Sequence, residues 1–408
     1  MDDDENRARR AKTLPFILLV LFFDAMGVGL ILPVLPDLIK GFGGLANSDA
    51  ASISGYLLFT FAAMQFVCAP ILGGLSDRFG RRPILLLALA GYSADYFLMA
   101  FAPSIFWLFI ARAVSGICGA TFAAANAAIV DISSEGERAR HFGLTGAAVG
   151  LGFVFGPVIG GLIGEYAVRA PFIVAGVLTL LTTIYGAIAF KETLPPEKRR
   201  RFTLARANPI GGLLAMRHYP LVPLFLAVLF CVQLASQSYN SIWSFYTIAV
   251  ADWTPFWIGT SAGLYGLLLA IVQGGLTGPF IARVGEPRAA MFSFIVGVGV
   301  YLGLGFASSG PMIYAMIVLG AFSGFAFPAI QAMMTARTPA DAQGELQGAV
   351  ASLFSLSAIV GPILMTQLFS AYTDEVGIYF PGAGFIASAM IIVIAIIIAG
   401  PACRRAAT

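Results

Sequence analysis

The chain has 408 residues, of which 59% are hydrophobic and only 11% are charged. Soluble domains carry about 25% charged residues, so this composition excludes a protein that covers a large water-facing surface. The formal net charge of +3 is small. The positions of the basic residues, described below, assign that charge to membrane topology, and we expect no nucleic-acid partner.

Apolar segments long enough to cross a bilayer as helices recur along the whole chain. The first is not a cleaved signal peptide, because it is too long, contains an interior acid and lacks a small-residue cleavage site. We predict an all-α membrane protein whose partner is the lipid bilayer. Its twelve transmembrane helices are predicted at residues 14–36, 50–75, 83–102, 104–130, 139–165, 170–190, 219–250, 257–282, 288–307, 311–336, 343–370 and 378–402.

The basic residues fix the orientation of these spans. When both termini are placed in the cytoplasm, 21 of the 24 Lys and Arg residues fall in cytoplasmic segments. The outer loops then hold only Lys40 and Arg169, and Arg112 lies inside a span. Such a bias predicts an even number of spans with both ends in the cytoplasm.

The sequence contains few motifs typical of enzymes or of metal-binding proteins. The four cysteines lie in or beside spans at no metal-like spacing, and we expect free thiols and no metal site. The isolated His141 and His218 are best explained as residues of the membrane interface. No GxxxxGK[ST], GxSxG or HExxH motif occurs, so neither ATP-driven transport nor hydrolysis is indicated. We expect a transporter without a cofactor and without enzymatic activity.

Two loops reveal an internal repeat. "GGLSDRFGRRP" (73–83) follows span two and "GPFIARVGEPR" (278–288) follows span eight, 205 residues later. The same offset relates Gly73 to Gly278, Arg78 to Arg283, Gly80 to Gly285, Gly119 to Gly324, Gly143 to Gly348, Gly156 to Gly361 and Pro157 to Pro362. We predict an N-terminal six-helix bundle (1–190), a basic cytoplasmic linker (191–217) and a C-terminal six-helix bundle (218–408). Parallel halves of this kind hold a substrate cavity near the midplane and expose it to each side in turn.

The two halves differ in charge. Three charged positions of the first half are apolar in the second: Asp77, Asp95 and Arg112 correspond to Ala282, Val300 and Ile317. We therefore assign ion handling to the N-terminal half.

The loop after span two predicts a cytoplasmic gate. Its glycines permit close approach and a positive φ, and Asp77 lies where another helix end or an arginine can hold its carboxylate. A charge cluster at such a junction closes one face and breaks on opening. The alternative is a plain topological anchor of basic residues. The predicted gate comprises Gly73, Asp77, Arg78, Gly80, Arg81, Arg82 and, at the end of span four, Asp131.

Span five carries a glycine–proline run, "GLGFVFGPVIGG" (150–161). Gly152, Gly156 and Gly160 recur every four residues and leave one helix face without side chains, which permits close helix packing. Pro157 removes a backbone hydrogen bond and bends the helix. We expect a bend that is used in gating, and tight packing without moving parts is the alternative.

Three charges lie deep inside the membrane, away from the ends of their spans: Asp24, Asp95 and Arg112. Asp24 and Asp95 lie roughly 15–18 Å deep at 1.5 Å per residue. Spans three and four turn near Pro103, so Arg112 is expected at the depth of Asp95. Each such residue costs about 2.5–3.5 kcal/mol to insert and normally serves a function. We assign these three residues to proton coupling. A permanent structural Asp–Arg pair is the alternative, and for Asp24 a contact with the substrate.

Amide side chains among aromatic residues predict a binding surface for a bulky amphipathic ligand. In span seven Gln233, Gln237, Asn240 and Ser244 form one polar stripe flanked by Tyr239 and Trp243, and in span four Arg112, Ser115, Gly119 and Asn126 align. Interhelical hydrogen bonding is the alternative for each amide. The predicted substrate-binding residues are Gln65, Asn126, Gln233, Gln237, Asn240, Trp243, Gln273 and Gln331.

These motifs resemble a known family. "GGLSDRFGRRP", "RAVSGICGAT" of span four and the span-five run, with Gly143, Gly152, Gly156, Pro157, Gly160 and Gly161, are similar to signature motifs of the major facilitator superfamily. "DAMGVGLILPVLPDL", "MQFVCAPILGGLSDRFGRRPILLLALAGYSADYFLMAFA" and "GAFSGFAFPAIQAMM" resemble the tetracycline/proton antiporters of Gram-negative bacteria. The resemblance spans essentially the whole chain and is densest over residues 20–165.

The resemblance implies the major facilitator fold, a location in the bacterial inner membrane and export of a tetracycline–divalent-metal chelate in exchange for a proton. It implies that Asp24, Asp77, Asp95, Arg81 and Arg112 match positions required for transport, and that Gln65 and Gln273 match the substrate path. Two positions depart from the pattern, because Gly297 and Leu269 stand where that group carries an aspartate in span nine and a histidine in span eight. Each chain contains both halves of one pathway, so we expect a functional monomer.

Three other functions remain open on the sequence. A proton-coupled multidrug exporter without specificity for tetracycline would use the same residues. A nutrient or metabolite symporter would use the same scaffold, although the span-five run and the shortage of charged sugar-binding groups in spans seven to twelve argue against it. A membrane receptor without transport activity would leave the three costly intramembrane charges without a reason.

Overall fold

The computed structural model describes residues 3–119, 121–134, 136–199, 211–374 and 378–407, and all their regular secondary structure is helical. The first half of the chain contains α1 (Asp3–Ile31), α2 (Leu35–Lys40), α3 (Asn47–Phe79), α4 (Arg81–Phe101), α5 (Ile105–Cys118), α6 (Thr121–Ile132), α7 (Arg138–Gly164) and α8 (Ala170–Ala189). The second half contains α9 (Gly211–Ala215), α10 (Val222–Ser241), α11 (Trp243–Ala251), α12 (Pro255–Ile271), α13 (Thr277–Val284), α14 (Glu286–Gly305), α15 (Gly310–Gly320), α16 (Ala326–Thr335), α17 (Gln343–Ala371) and α18 (Ala383–Ala407). The predicted all-α class is confirmed.

Eleven helices of the described chain are long and apolar enough to cross a membrane. The remaining predicted span, 104–130, is divided into the shorter apolar helix α5 and the helix α6, with Gly119 as the C-cap residue of α5. Span ten is one apolar helical span, Gly310–Thr335, in which a 3-10 turn, Ala321–Phe325, separates α15 from α16. The predicted span 104–130 is therefore corrected to two helices, whereas span ten only changes its helix type, and a glycine lies at the same repeat position in both, at Gly119 and Gly324.

The first span also ends earlier than predicted. Helix α1 stops at Ile31 and the chain turns before α2 begins at Leu35. Pro33 accounts for this end, because its ring fixes φ and it lacks the N–H that would continue the helical hydrogen bonds. The predicted boundary at residue 36 is corrected to residue 31.

The backbone reproduces the repeat where two helices follow each other without a loop. Gly80 joins α3 to α4 with φ 107° and ψ 162°, and Gly285 joins α13 to α14 with φ 81° and ψ 156°. This region of backbone conformation is essentially restricted to glycine. The two equivalent glycines therefore make equivalent junctions.

Contacts group the chain into two units: residues 1–38 with 60–208, and residues 39–59 with 209–408. The segment 39–59 joins the second unit because the amide Nδ2 of Asn47 donates to the Phe245 carbonyl at 3.0 Å and the amide Nε2 of Gln367 donates to Ser52 Oγ at 2.7 Å. The predicted domains 1–190, 191–217 and 218–408 assign this segment differently and stay a prediction.

Each unit has its own apolar core. In the first unit, side chains of α1, α4 and α6 bury one another, and Phe16 stacks on Phe190 with ring centroids 4.8 Å apart. In the second unit an aromatic cluster surrounds Tyr239, whose ring stacks on Tyr265 at 5.3 Å and lies 5.8 Å from Phe385. Rings this close contribute free energy beyond the area that they bury.

Candidate functional site

An ion pair between α4 and α5 lies in the interior of the first unit. Asp95 is 1% exposed, and its Oδ2 accepts a hydrogen bond from Nη2 of Arg112. The same Nη2 lies 2.9 Å from the sulfur of Met99, and the guanidinium lies 5.9 Å from the ring centroid of Phe61. The expected proximity of Asp95 and Arg112 is confirmed. Met99 and Phe61 complete the surroundings of the guanidinium and were not predicted.

The pair is incompletely satisfied. Among the described residues, Oδ1 of Asp95 and Nε of Arg112 are buried without a hydrogen-bond partner. A buried polar atom without a partner costs roughly 1–3 kcal/mol, and more when it is charged. The carboxylate therefore retains an acceptor atom that is available to a proton or to another donor.

The two intramembrane acids lie on neighbouring helices. Asp24 on α1 is half-buried, and Tyr96, the residue after Asp95 on α4, packs against α1 at Gly27. A side chain on Gly27 would collide with the Tyr96 hydroxyl, so the tyrosine ring rests on the bare backbone of α1. Glycine at position 27 thereby lets α4 approach the helix that carries Asp24.

The predicted cytoplasmic gate is centred on Arg81. Its Nη1 lies 2.6 Å from Asp77 Oδ1 and donates to Ser76 Oγ at 2.9 Å, while its Nε lies 3.2 Å from Asp131 Oδ2. The end of α3, the start of α4 and the end of α6 are joined by this one guanidinium. Asp77, Arg81 and Asp131 are therefore brought together as the gate prediction requires.

Other predicted gate residues occupy different positions. Arg78 lies over the ring of Phe79 at 5.0 Å, and Arg82 Nη2 donates to the Ala187 carbonyl at 2.6 Å. Gly73 lies inside α3 with a helical backbone, and among described residues no atom lies within 4 Å of where its side chain would stand. The expectation of a close approach or a positive φ at Gly73 is therefore wrong.

Glu192, which the sequence analysis missed, caps α4. Its carboxylate accepts hydrogen bonds from the backbone N–H groups of Arg81 at 2.8 Å and Arg82 at 3.2 Å, and from those of Thr193 and Leu194 at 3.0 Å each. An anion at a helix N-terminus satisfies free N–H groups and interacts favourably with the helix dipole. One sequence signal could have indicated this capping role. Glu192 is an acid that follows span six closely and precedes the basic part of the linker.

The glycines of α7 pack directly on α1. A Cβ at Gly152 would lie 2.5 Å from the Phe22 carbonyl oxygen, and one at Gly156 would lie 2.5 Å from that of Met26. Gly160 meets the backbone of Leu30 in the same way. Gly143, at the other end of α7, meets open space among the described residues. This geometry supports the packing alternative for the three glycines, and the predicted bend at Pro157 stays a prediction.

The helix that carries the predicted polar stripe of span seven is interrupted. Helix α10 ends at Ser241 and α11 begins at Trp243, with Ile242 between them, and the single stripe from Gln233 to Ser244 stays a prediction. Trp243 is 4% exposed and donates through Nε1 to Ser261 Oγ at 3.1 Å.

Gln237 is also buried, and it packs against Gly361 of α17, where an added Cβ would lie 2.6 Å from Gln237 Cβ. Interhelical packing therefore explains Gln237 and Trp243 better than substrate contact does. Gln233 is half-buried and Asn240 is exposed, so these two residues of α10 retain access to solvent or ligand.

Of the four remaining amide side chains, two donate a hydrogen bond to a glycine carbonyl and two have an oxygen without a partner among the described residues. Gln65 donates through Nε2 to the Gly119 carbonyl at 3.1 Å, and Gln273 donates to the Gly324 carbonyl at 3.5 Å. Asn126 and Gln331, which the repeat offset of 205 relates, each have a buried side-chain oxygen without a partner among the described residues. These two unsatisfied oxygens favour a ligand role for Asn126 and Gln331 over a purely structural one.

The two positions of the second unit that depart from the antiporter pattern, Gly297 and Leu269, carry no charge. Gly297 is buried in α14, with no described atom within 4 Å of its missing side chain. Leu269 packs towards Gly324, where an added Cβ would lie 2.6 Å from its Cδ1. The charged site of the described chain is thus confined to the first unit, where one buried acid, one half-buried acid and one arginine can hold a proton and attract a polar cargo.

Comparison with known proteins identifies the family of this chain. The family model described as Major Facilitator Superfamily matches residues 17–362 and 235–405. The class C tetracycline resistance protein of Escherichia coli is 39% identical over 392 residues, which cover 96% of this chain and 96% of that protein. The class G tetracycline resistance protein of Vibrio anguillarum is 40% identical over 363 residues, covering 87% and 89% of the two chains.

Solved structures share the fold. A bacterial homolog to the human lysosomal transporter Spinster superposes with a TM-score of 0.77 over 97% of both chains at 16% identity. The family model and the two relatives each cover most of the chain. The protein is therefore a multi-pass membrane transporter that belongs to the major facilitator superfamily.

Proposed function

We propose that the protein exports tetracycline from the bacterial cytoplasm across the inner membrane in exchange for protons, by alternating access. The buried Asp95–Arg112 pair, in spans that are otherwise apolar, is the observation that carries this proposal. The names of the two relatives, both tetracycline resistance proteins, supply the substrate. The proton gradient is the driving force, and no cofactor is required.

Asp95 is the proposed proton station. Its carboxylate is 1% exposed and paired, and one of its oxygens has no partner among the described residues. When a proton binds the carboxylate, its negative charge disappears and the ion pair with Arg112 weakens. The guanidinium keeps its charge, so the protonated site is net positive and repels a cationic cargo, and loss of the proton restores the neutral pair. Proton binding and cargo binding therefore oppose each other, as exchange requires.

Asp24 is the proposed contact for the cargo. It is half-buried, whereas Asp95 is buried, so a ligand reaches Asp24 more easily. A carboxylate at this position attracts a cationic cargo such as tetracycline that carries Mg²⁺ as a chelate. Tyr96 follows Asp95 on α4 and packs against Gly27 of α1, three residues from Asp24, so it lies between the helices that carry the two acids.

The Arg81 cluster is the proposed latch of the cytoplasmic gate. One guanidinium holds Asp77 and Asp131, which belong to different helices, and a small displacement of either helix breaks these short charge-assisted bonds. The latch, the proton station and the proposed cargo contact all lie in the first unit, and a single chain contains both halves of the repeat. We therefore propose that the monomer is the functional form.

Everted membrane vesicles with an imposed pH gradient test the function. Fluorescent tetracycline added with Mg²⁺ is expected to accumulate in vesicles that contain the wild-type protein. Asp95→Asn is expected to lower gradient-driven accumulation to below about a tenth of wild type, the scale expected for a required group. Asp24→Asn is expected to raise KM for tetracycline.

Asp341→Asn is the matched control, because this exposed acid belongs to a 3-10 turn outside the predicted spans. Accumulation of ethidium and other unrelated cations along with tetracycline would replace tetracycline export by multidrug export. Metabolite exchange without drug movement would replace it by symport. Full accumulation in the Asp95→Asn variant would contradict the proton station.

A further inference from the structure

The breaks in spans four and ten occur at the same place in the repeat. Helix α5 ends at Cys118 with Gly119 as its C-cap, and the 3-10 turn of span ten contains Gly324, 205 residues later. The Gly119 carbonyl lies at a helix end and lacks the intrahelical donor that interior carbonyls have, and the residue four positions after Gly324 is Pro328, which has no N–H. Water is not available inside a bilayer to replace the missing α-helical donor, so each carbonyl can accept from a neighbouring helix.

A glutamine supplies a donor at each break. Gln65 of α3 donates through Nε2 to the Gly119 carbonyl at 3.1 Å, and Gln273 donates through Nε2 to the Gly324 carbonyl at the longer distance of 3.5 Å. Gln65 does not align with Gln273 at the repeat offset, because residue 270 is alanine. Gln273 instead lies in a π-helical turn, Val272–Leu276, which changes the helical register after α12. The two units thus make the same contact from different sequence positions.

Glycine is required at the acceptor position. A Cβ at Gly119 would lie 2.8 Å from Nε2 and 2.9 Å from Cγ of Gln65, which is closer than real Cβ atoms approach other groups. At Gly324 an added Cβ would lie 2.6 Å from Leu269 Cδ1 and 3.5 Å from Gln273 Cγ. The amide and the glycine therefore form one packing unit.

The Gln65 contact belongs to a face of α3 that runs along α5 to Arg112. A Cβ at Gly116 would lie 2.6 Å from both the Phe61 carbonyl oxygen and Met64 Cβ, so the two backbones touch there. The ring of Phe61, one turn before Gln65, lies 5.9 Å from the Arg112 guanidinium carbon. Helices α3 and α5 thus cross closely at Gly116, with Phe61 near Arg112 on one side of the crossing and Gln65 at Gly119 on the other.

We propose that Gln65 is a positioning residue: by holding the Gly119 carbonyl at the break between α5 and α6, it fixes α5 against α3 and sets the place of Arg112 beside Asp95. Gln273 performs the corresponding task at Gly324 in the second unit. This inference rests on the proposed function for the role of Arg112 in proton exchange, whereas the positioning itself concerns the unliganded protein.

Cys118, the residue before Gly119, reports on the break without drug or proton gradient. Its sulfur lies against the backbone of Gly91, where an added Cβ would collide with it. We would measure labelling of Cys118 by N-ethylmaleimide in purified full-length protein in which the other three cysteines are replaced by serine. Gln65→Asn, one methylene shorter, is expected to raise the labelling rate about fivefold, the factor that loss of one ordinary hydrogen bond gives.

Two variants control for effects of truncating an amide elsewhere. Gln367→Asn shortens an amide that donates to Ser52 Oγ, and Gln273→Asn shortens the counterpart in the second unit. Both are expected to leave Cys118 labelling within twofold of wild type. Gln273→Asn is expected to raise labelling of a cysteine introduced by Ser323→Cys, next to Gly324.

Transport kinetics separate positioning from contact with the cargo. A positioning residue that acts through Arg112 lowers the maximal rate of proton-driven export in Gln65→Asn and leaves KM for tetracycline within twofold. Unchanged Cys118 labelling together with a raised KM would overturn the proposal and make Gln65 a substrate contact. Raised labelling in a protein that exports no tetracycline would retain the positioning role and overturn the proposed function instead.

Discussion

Arg112 is the one basic residue far from the ends of a predicted span, and all of its described polar contacts are made inside the first unit. Its side chain is 13% exposed and that of Asp95 is 1% exposed, so neither charge is hydrated to any extent. A buried pair of this kind contributes little net stability, because desolvation offsets the attraction between its charges. Removal of one partner, in contrast, is costly because it leaves the other charge alone.

Arg112→Ala is therefore expected to destabilise the protein by about 3–5 kcal/mol. Thermal unfolding in detergent measures this loss. The double variant Asp95→Asn/Arg112→Ala is expected to recover most of the stability, since neither charge remains. If the double variant unfolds at the temperature of Arg112→Ala, the destabilisation comes from lost packing and the unpaired charge is not its cause.

Glu192 yields a second prediction for a single residue. Glu192→Ala removes the acceptor of two backbone N–H groups at the start of α4 and of two more at Thr193 and Leu194, and is expected to cost about 1–2 kcal/mol. Glu192→Gln keeps one acceptor oxygen and is expected to lose less. Thermal unfolding is again the measurement, and the exposed Glu197, replaced by Ala, is the control. Equal midpoints for Glu192→Ala and Glu197→Ala would exclude the cap.

Helices α1 and α7 pack backbone against backbone because of the glycine spacing in α7. Glycines at every fourth position leave a groove on α7, and the backbone of α1 at Phe22, Met26 and Leu30 fills it. Without a hydrophobic driving force between helices in lipid, such close backbone contact supplies the packing energy. The same contact fixes the helix that carries Asp24.

Gly156→Ala is expected to force α1 and α7 apart, because its Cβ would lie 2.5 Å from the Met26 carbonyl oxygen and 3.0 Å from Gly29 Cα. A misfit of this kind costs about 1–3 kcal/mol. Thermal unfolding and gradient-driven tetracycline accumulation should both fall. Gly150→Ala is the matched control on the same helix, since no described atom lies within 4 Å of that position. Equal behaviour of the two variants would contradict the groove.

At the scale of the whole molecule, the repeat is conserved in backbone and altered in chemistry. The junction glycines Gly80 and Gly285 keep the same glycine-only conformation, whereas the ion pair of the first unit has no counterpart, because Val300 and Ile317 occupy the equivalent positions. The first unit therefore carries the intramembrane charges Asp24, Asp95 and Arg112, and the second carries the large aromatic cluster around Tyr239.

The two junctions should respond differently to the same substitution. Gly80→Ala and Gly285→Ala each place a side chain in strained backbone, at about 1–3 kcal/mol. Gly80→Ala also meets the Glu192 carboxyl carbon at 2.6 Å, whereas the nearest atom at Gly285 is Pro287 Cδ at 3.9 Å. Gly80→Ala is thus expected to lower the unfolding midpoint more. A larger loss for Gly285→Ala would show that the Glu192 contact does not constrain this junction.

The sequence by itself determined the membrane class, the helical fold, the twofold repeat and the proximity of Asp95 and Arg112. It could do so because the bilayer imposes span length and internal hydrogen bonding on any chain, and because charge in oil is costly wherever it occurs. The glycine steps of span five predicted close packing for the same reason, since their spacing is set by the helix alone.

Only the tertiary structure decided which neighbours those residues meet. It assigned Arg81 to two acids on different helices, Glu192 to the start of α4 and Trp243 to a buried hydrogen bond with Ser261. It also interrupted the helices at Gly119 and Ile242, where packing partners outweigh a weak local preference. Contacts between helices far apart in the chain depend on how several faces pack at once, and residue spacing within one helix carries no record of them.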